Sequence, residues 1–186
     1  MPISGGGQAM GADPLGSQAK ANAAIDQCTT LEDLLPALLE QAASIYPCLN
    51  WLFGEITSAA EPVEVEILAY SPTRLKSVYQ GMRLPVLQST FSHRLYEEQL
   101  VSYVGEDNGT LSLLNPQFVE TFALTSFLGV PLLFDGEIIG ILYAATFKGE
   151  KPSVPTELQQ EALRNLAQMG ALALHRISER PPIEPQ

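Results

Sequence analysis

The sequence predicts an α+β protein with a central antiparallel sheet, and three observations lead to that fold class. Two apolar runs, residues 127–134 and 138–145, flank Asp135-Gly136-Glu137, and Asp-Gly between such runs is typical of a β-hairpin turn. Both runs are apolar nearly throughout, which indicates strands that are covered on both faces. Amphipathic helical patterns lie near both ends of the chain, around a middle without a sustained period. We therefore expect the N- and C-terminal helices on one face of the sheet, and irregular loops with short helices on the other.

The N-terminal part is predicted to be a tail followed by two helices. Residues 1–16 are rich in Gly, Ala and Pro and almost uncharged, which indicates a disordered tail or linker. Ser17 can cap a first helix over residues 17–27, and Thr30 with Asp33 can cap a second over residues 31–46. Pro36 lies in the first turns of that second helix, where its missing N–H is tolerated.

Two strands are predicted next, at residues 49–57 and 63–70. The second alternates Val63, Val65 and Ile67 with Glu64 and Glu66, a pattern typical of a strand with one wet face near a sheet edge.

The middle and end of the chain follow. Residues 71–125 are predicted to be irregular, with short helices at 90–99 and 117–123 and a short strand at 100–104. A long helix is expected from Pro155 to about residue 178, before Pro181-Pro182. The chain is thus one domain over residues 17–178, with a Pro-rich tail at 179–186.

Composition excludes several classes of function. The net charge of −11 over 186 residues disfavours nucleic acid and anionic lipid as partners. No apolar run is long enough to span a bilayer, and the N-terminus lacks the features of a secretory signal. The two cysteines, Cys28 and Cys48, provide neither a disulfide framework nor a metal cluster. These observations predict a cytoplasmic protein with reduced thiols.

One stretch resembles a known family. Residues 126–132, Ser-Phe-Leu-Gly-Val-Pro-Leu, and residues 135–142, Asp-Gly-Glu-Ile-Ile-Gly-Ile-Leu, match the pattern S-x-x-x-V-P-L … G-x-x-x-G-x-L of GAF domains. The resemblance extends over about residues 30–177 and implies a GAF/PAS-like fold. It also implies a ligand site between the sheet and the irregular segment, here residues 71–125. A fold hosts many functions, so the resemblance does not identify the ligand.

Aromatic residues of that segment and of the strands are the candidate ligand-binding groups. Together they can form an apolar pocket with a few polar tips, and the alternative is that they fill the core beneath the loops. Tyr79 and Tyr96 belong to the same aromatic group. The predicted binding residues are Trp51, Phe53, Phe91, His93, Tyr103, Phe118, Phe122, Ser126 and Tyr143.

No cofactor, metal or catalytic residue is predicted. His93 would be the sole haem ligand in the segment, and Cys48 is followed by Leu49, whereas bilin-binding relatives commonly have a pocket cysteine followed by His. The GAF-type free methionine sulfoxide reductases use three clustered cysteines, whereas this chain has none after Cys48. Cyclic-nucleotide-binding GAF domains carry an Asn-Lys … Phe … Asp-Glu signature, and in this chain only Asn115 and Phe118 could correspond to it.

The expected function is a non-enzymatic sensory or regulatory module that binds a small, largely apolar or aromatic ligand and signals through its terminal helices. The alternative is a protein-interaction or dimerisation module with a vestigial pocket, and a remote one is free methionine sulfoxide reduction. Small residues such as Ala162 and Gly170, with Leu172 and Leu174 beyond the buried stripe, further predict a parallel homodimer through the terminal helices. A monomer in which the first helix covers this surplus is the other possibility.

Overall fold

The computed structural model describes residues 23–58, 64–71, 80–86 and 88–179. The predicted tail at 1–16, most of the tail at 179–186, the start of the first helix and Tyr79 lie outside these residues. The proposed domain limits therefore stay predictions. Within the described part, residues 23–27 are helical.

The fold is an antiparallel six-stranded sheet with helices on both sides, in the order β3-β2-β1-β6-β5-β4. The helices are α1 (Leu31–Ile45), α2 (Thr90–Ser92), α3 (Pro116–Phe122) and α4 (Glu157–Ser178), and α2 continues directly into a π-helical turn (His93–Glu97). A 3-10 turn (Leu111–Leu113) precedes α3. The strands are β1 (Asn50–Ser58), β2 (Glu64–Ser71), β3 (Arg83–Pro85), β4 (Ser102–Gly105), β5 (Leu124–Phe134) and β6 (Glu137–Phe147).

The β5–β6 hairpin lies inside the sheet, as predicted. Asp135 and Gly136 both have positive φ, 50° and 83°, which is the backbone that a two-residue primed turn requires. Most residues of both strands are buried, because one core covers each face. The predicted fold class is confirmed.

One face of the sheet is covered by α1 and α4. Thr30 caps α1 by accepting a hydrogen bond from the Asp33 amide, and Thr156 and Gln159 form a capping box at the start of α4. Ile25, from the short N-terminal helical segment, is fully buried in the same core. Residues 23–27 thus join the helical layer, on the face where the terminal helices were expected.

The opposite face carries the short elements: α2 with its π-turn, the 3-10 turn and α3. They pack over a second core that is centred on Phe127, Ile141 and Tyr143. The helix predicted at 90–99 is a helical turn followed by a π-turn. Strand β3 was not predicted from the sequence. It forms the edge of the sheet, so that β2 is the second strand from that edge.

None of the helices in the described part of the chain combines the length and hydrophobicity that crossing a bilayer requires.

Candidate functional site

A cavity of about 50 Å³ lies between the sheet and its short elements. Its floor is built by Phe127 of β5 and Tyr143 of β6, the two strands of the hairpin. A second cavity of about 30 Å³ adjoins it. The two cavities share four lining residues: Leu84, Phe118, Phe127 and Tyr143. They form one apolar space in two lobes, which we call the aromatic cavity.

The walls of the aromatic cavity are rings in mutual contact. Phe127 stacks on Tyr143 with centroids 5.1 Å apart, and it meets Phe91 at 5.4 Å and Phe118 at 5.5 Å. Phe118 in turn contacts Phe122, with centroids 4.9 Å apart. Separations of this kind are favourable for aromatic pairs. A planar apolar ligand would find faces and edges of rings on several sides.

We call α2, its π-turn and α3 the roof of the aromatic cavity. Gly129 of β5 allows the roof to rest directly on the sheet, because a Cβ at this position would lie 2.7 Å from Leu95 Cδ2 and 3.1 Å from the Phe91 ring. Ser89 caps the start of α2 by accepting from the Ser92 amide, and Gln99 with φ 55° ends the segment. A π-turn is rare and is found frequently at functional sites.

Five of the described residues that line the larger lobe carry a polar side-chain group: Ser89, Ser92, Asn115, Tyr96 and Tyr143. The two tyrosines form a pair of phenols. The hydroxyls of Tyr96, on the π-turn, and Tyr143, on β6, are 2.5 Å apart. Burial raises the pKa of Tyr96 to about 12 and raises the pKa of Tyr143 well above its usual value. Both phenols are therefore neutral at physiological pH. Among the residues that the structure describes, those that line either lobe are all uncharged.

Four of the predicted site residues come together here, and the rest do not. Phe91, Phe118 and Tyr143 line the larger lobe, and Phe122 lines the smaller one. Trp51 and Phe53 lie in the core under α1 and α4, because strand alternation directs these two residues of β1 to the helix-covered face. Neither of them contributes to the aromatic cavity.

The other three predicted residues also lie elsewhere. His93 is on the outer side of the π-turn, 2.9 Å from a Glu97 carboxylate oxygen and 3.3 Å from one of Glu98. Tyr103 of β4 donates to Asp107 and packs against the core under α1 and α4. The Ser126 hydroxyl donates to the Thr146 hydroxyl at 2.7 Å. These polar side chains have protein partners.

Sequence reasoning missed several residues of the aromatic cavity. Phe127 lies at its centre and Tyr96 supplies half of the phenol pair, yet neither was in the predicted binding set. Val65, Leu84 and Leu114 complete the apolar wall. The hairpin pattern identifies β5 and β6, but a register counted back from the turn alone would pair Phe127 with Ala144, whereas in the structure Phe127 pairs with Ala145 and Gly129 with Tyr143. Sequence therefore offered no signal that would have placed Phe127 beside Tyr143.

A separate polar cavity of about 170 Å³ opens near the end of α1. The Glu150 carboxylate at its edge accepts from the Asn50 amide at 2.9 and 3.1 Å and from the Phe147 backbone amide at 2.9 Å. Cys48 also lines it, and its thiol donates to the Ala145 carbonyl. Burial raises the pKa of Cys48, which disfavours the reactive thiolate.

Within the described residues, His, Cys, Asp and Glu side chains form no cluster of three or more that could hold a metal ion.

Comparisons with known proteins agree with this architecture. The family model "GAF domain" matches residues 29–174. No curated protein sequence matches this one. Among solved structures, the GAF domain from an Acinetobacter phosphoenolpyruvate-protein phosphotransferase is similar with a TM-score of 0.66 and 14% identity, covering 91% of this chain and 97% of that one.

Two further structures extend the comparison. The GAF domain of the corresponding Coxiella burnetii protein gives a TM-score of 0.66 at 16% identity, with 88% of this chain and 94% of that chain covered. The photosensory core module of a Stigmatella aurantiaca phytochrome gives a TM-score of 0.69 at 13% identity, with 94% of this chain but 38% of that chain covered. At these identities the likeness concerns the fold alone.

Proposed function

Because this chain belongs to the GAF domain family, whose members are sensory and regulatory modules in phytochromes and other signalling proteins, we propose that it is a non-enzymatic module of this kind. In this proposal it binds a small, largely apolar or aromatic ligand in the aromatic cavity and signals through its terminal helices.

The observation that carries the proposal is the chemistry of the aromatic cavity. The space is surrounded by the aromatic rings of Phe91, Phe118, Phe127 and Tyr143. The polar group on its floor is the phenol hydroxyl of Tyr143. Apolar pockets with a few well-placed polar groups are the usual sites for small ligands. The absence of charge among the lining residues in the described ranges favours a neutral ligand over a nucleotide or another anion.

The size of the aromatic cavity adds a requirement. Its lobes measure about 50 and 30 Å³, whereas an apolar cavity of ~150 Å³ is known to hold one benzene ring. A ligand with an aromatic ring therefore has to displace the roof outward. The roof meets the sheet through the ends of the Leu95 and Phe91 side chains at Gly129. The ends of such side chains can move at a moderate cost in free energy.

The sheet connects the aromatic cavity to the helical layer. Phe127 and Gly129 face the roof, whereas the intervening Leu128 and the following Val130 pack in the core of α1 and α4. Leu132, further along β5, lies 3.2 Å from a Cβ built on Gly170 of α4. A ligand that shifts β5 would thereby press on α4, and this is the route that we propose for the signal.

A thermal-shift screen of small neutral aromatics, aliphatic acids and cyclic nucleotides tests the proposal. Ligand at a hundredfold excess over its Kd should stabilise the fold by about 2.7 kcal/mol, and the neutral aromatics should give the positive shifts. Unchanged melting temperatures with every compound would contradict it.

The second candidate function is an interaction or dimerisation module, and a specific observation favours it. Leu158 and Leu172 on α4 are 76% and 57% exposed. They continue a spacing of alternately four and three residues, Leu158, Ala162, Asn165, Met169 and Leu172, which is typical of a helix–helix seam. The small volume of the aromatic cavity also agrees with a vestigial pocket. A parallel homodimer through this seam is the corresponding assembly.

The remote alternative, methionine sulfoxide reduction, has little support from the thiols. Burial raises the pKa of both Cys28 and Cys48, and Cys48 lies at the polar cavity instead of the aromatic one. A resolving cysteine must also lie near the attacking thiol.

A further inference from the structure

The phenol pair has a feature that an apolar binding site does not need. Tyr143 is 5% exposed and its ring stacks on Phe127. It nevertheless carries a hydroxyl, whose partner among the described residues is Tyr96. Burying a hydroxyl costs free energy unless it is hydrogen-bonded. A phenylalanine at each position would avoid that cost, so the pair is a candidate for ligand recognition.

The hydrogen count of the pair shows what it offers. Two neutral phenols carry two protons, and the bond between them uses one. The second proton has no acceptor among the described residues, since the hydroxyls bond only to each other. The pair is thus a donor within an apolar space. Ser89 and Ser92 at the rim are already bonded to one another at 2.8 Å.

We propose that the Tyr96–Tyr143 pair selects the ligand class: a small neutral aromatic molecule that carries one hydrogen-bond acceptor, such as a carbonyl oxygen or a ring nitrogen. The acceptor takes the second proton of the pair, and the ring lies against Phe127 and Phe118. This inference rests on the proposed function, because it assumes that the aromatic cavity binds a ligand.

Charge determines the limits of this class. A carboxylate would also accept the proton, but the lining residues within the described part of the chain include no Lys, Arg or His to neutralise it. An unpaired buried anion carries a desolvation penalty far larger than one hydrogen bond returns. An aromatic hydrocarbon avoids that penalty but leaves the second proton without a partner. A neutral acceptor is the chemistry that satisfies both conditions.

The position of Tyr96 couples this recognition to the roof. Tyr96 lies on the π-turn, which is closed by the hydrogen bond from the Glu98 amide to the His93 carbonyl. A ring that enters the aromatic cavity has to move this turn outward. An acceptor on the ligand can keep the Tyr96 hydroxyl engaged as it moves, so recognition and roof displacement occur together.

The test compares three probes of nearly the same shape: acetophenone, α-methylstyrene and benzoate. Their Kd values are measured by ligand-observed NMR on the full chain. A neutral hydrogen bond contributes about 1 kcal/mol, so acetophenone should bind about fivefold more tightly than α-methylstyrene. Benzoate should bind more weakly than both. Equal Kd values for acetophenone and α-methylstyrene, or tight binding of benzoate, would overturn the inference.

Variants locate the effect in the phenol pair. Y96F/Y143F replaces both partners by apolar groups of the same shape, which preserves packing and leaves no unpaired hydroxyl. In this variant the ratio of the α-methylstyrene Kd to the acetophenone Kd should fall to about 1, while the Kd of α-methylstyrene stays at its wild-type value. The matched control is Tyr103→Phe on the other face of the sheet, which should retain the fivefold preference. A preference that persists in Y96F/Y143F would refute the role of the pair.

The two proposals fail in different ways. If acetophenone and α-methylstyrene bind with equal Kd values, the proposed function survives and the inference is wrong. If neither compound binds the wild type, and neither binds Tyr96→Ala, where removal of the ring enlarges the cavity, both proposals are wrong.

Discussion

Leu95 touches the sheet at Gly129: a Cβ placed on this glycine would lie 2.7 Å from Leu95 Cδ2 and 3.0 Å from Cδ1. The roof of the aromatic cavity is thus held at the distance that a bare backbone permits. Leu95 itself is fully buried. The height of the roof, and with it the volume of the cavity, depends on this contact.

Gly129→Ala should destabilise the protein by about 1–3 kcal/mol, the usual effect of an added methyl group in a packed core. Urea unfolding measures the change. Leu95→Ala alone should also destabilise, since it leaves a cavity.

The combination provides the control. In Gly129→Ala/Leu95→Ala the new methyl occupies space that Leu95 vacates, so the double variant should lose less stability than the sum of the single variants. Additive losses would show that the two residues are not in contact.

Ala123 ends α3 with φ 50° and ψ 45°, a left-handed backbone that favours glycine. Ala123→Gly should therefore stabilise the protein, by about 0.5–1 kcal/mol after the added chain entropy of the unfolded state is deducted. The increase in melting temperature on thermal unfolding measures this stabilisation.

Ala162→Gly is the matched control, because Ala162 lies within α4. There the same change should destabilise by about 1 kcal/mol. If both variants shift the melting temperature in the same direction, the left-handed conformation of Ala123 is refuted.

The buried phenols predict a loss of stability at high pH. The pKa of tyrosine is about 10 in the unfolded chain, whereas burial raises the pKa of Tyr96 to about 12 and that of Tyr143 further. Between these values the unfolded state has released protons that the folded state keeps. The free energy of unfolding therefore falls as the pH rises above 10.

Comparison with Y96F/Y143F isolates this contribution. The difference in stability between wild type and variant should be constant from pH 7 to 9 and should then shrink or reverse above pH 10, as the wild type alone loses this stability. Urea titrations at each pH measure it. Parallel curves up to pH 11.5 would mean that the phenols are not buried as described.

The exposed seam of α4 predicts self-association. Leu158→Glu/Leu172→Glu should give a mass near 20.1 kDa by light scattering, whereas the wild type should give twice that value at micromolar concentration. Leu100→Glu, at another exposed leucine, is the control and should leave the mass of the dimer unchanged. A wild-type mass of one chain would exclude the homodimer.

The hairpin was predictable from sequence, but the face that each of its residues occupies was not. Asp135-Gly136 fixes the turn, and Phe134 pairs with Glu137 and Leu133 with Ile138 as that turn requires. Ile139 is then an extra residue on β6, so that Leu132 pairs with Gly140 and Phe127 with Ala145. A one-residue shift exchanges the two faces, and nothing in the local composition marks this bulge.

The aromatic residues of β1 could not be assigned to a face of the sheet for a related reason. Residues 51–53 are all apolar and buried, because β1 is covered on both faces, so alternation gives no information about which side is which. Trp51 and Phe53 therefore could not be separated from Leu52, which faces the roof. β3 was missed because its three residues include Pro85 and show no periodic pattern.

The central claim is that the aromatic cavity binds a small neutral aromatic ligand, and aromatic ¹³C–¹H NMR during a titration tests it most directly. Acetophenone should shift the ring signals of Phe91, Phe118, Phe127 and Tyr143, because these rings line the cavity. The signals of Trp51, buried on the opposite face, should move little. Unchanged ring signals at the four cavity residues, or shifts confined to Trp51, would contradict the claim.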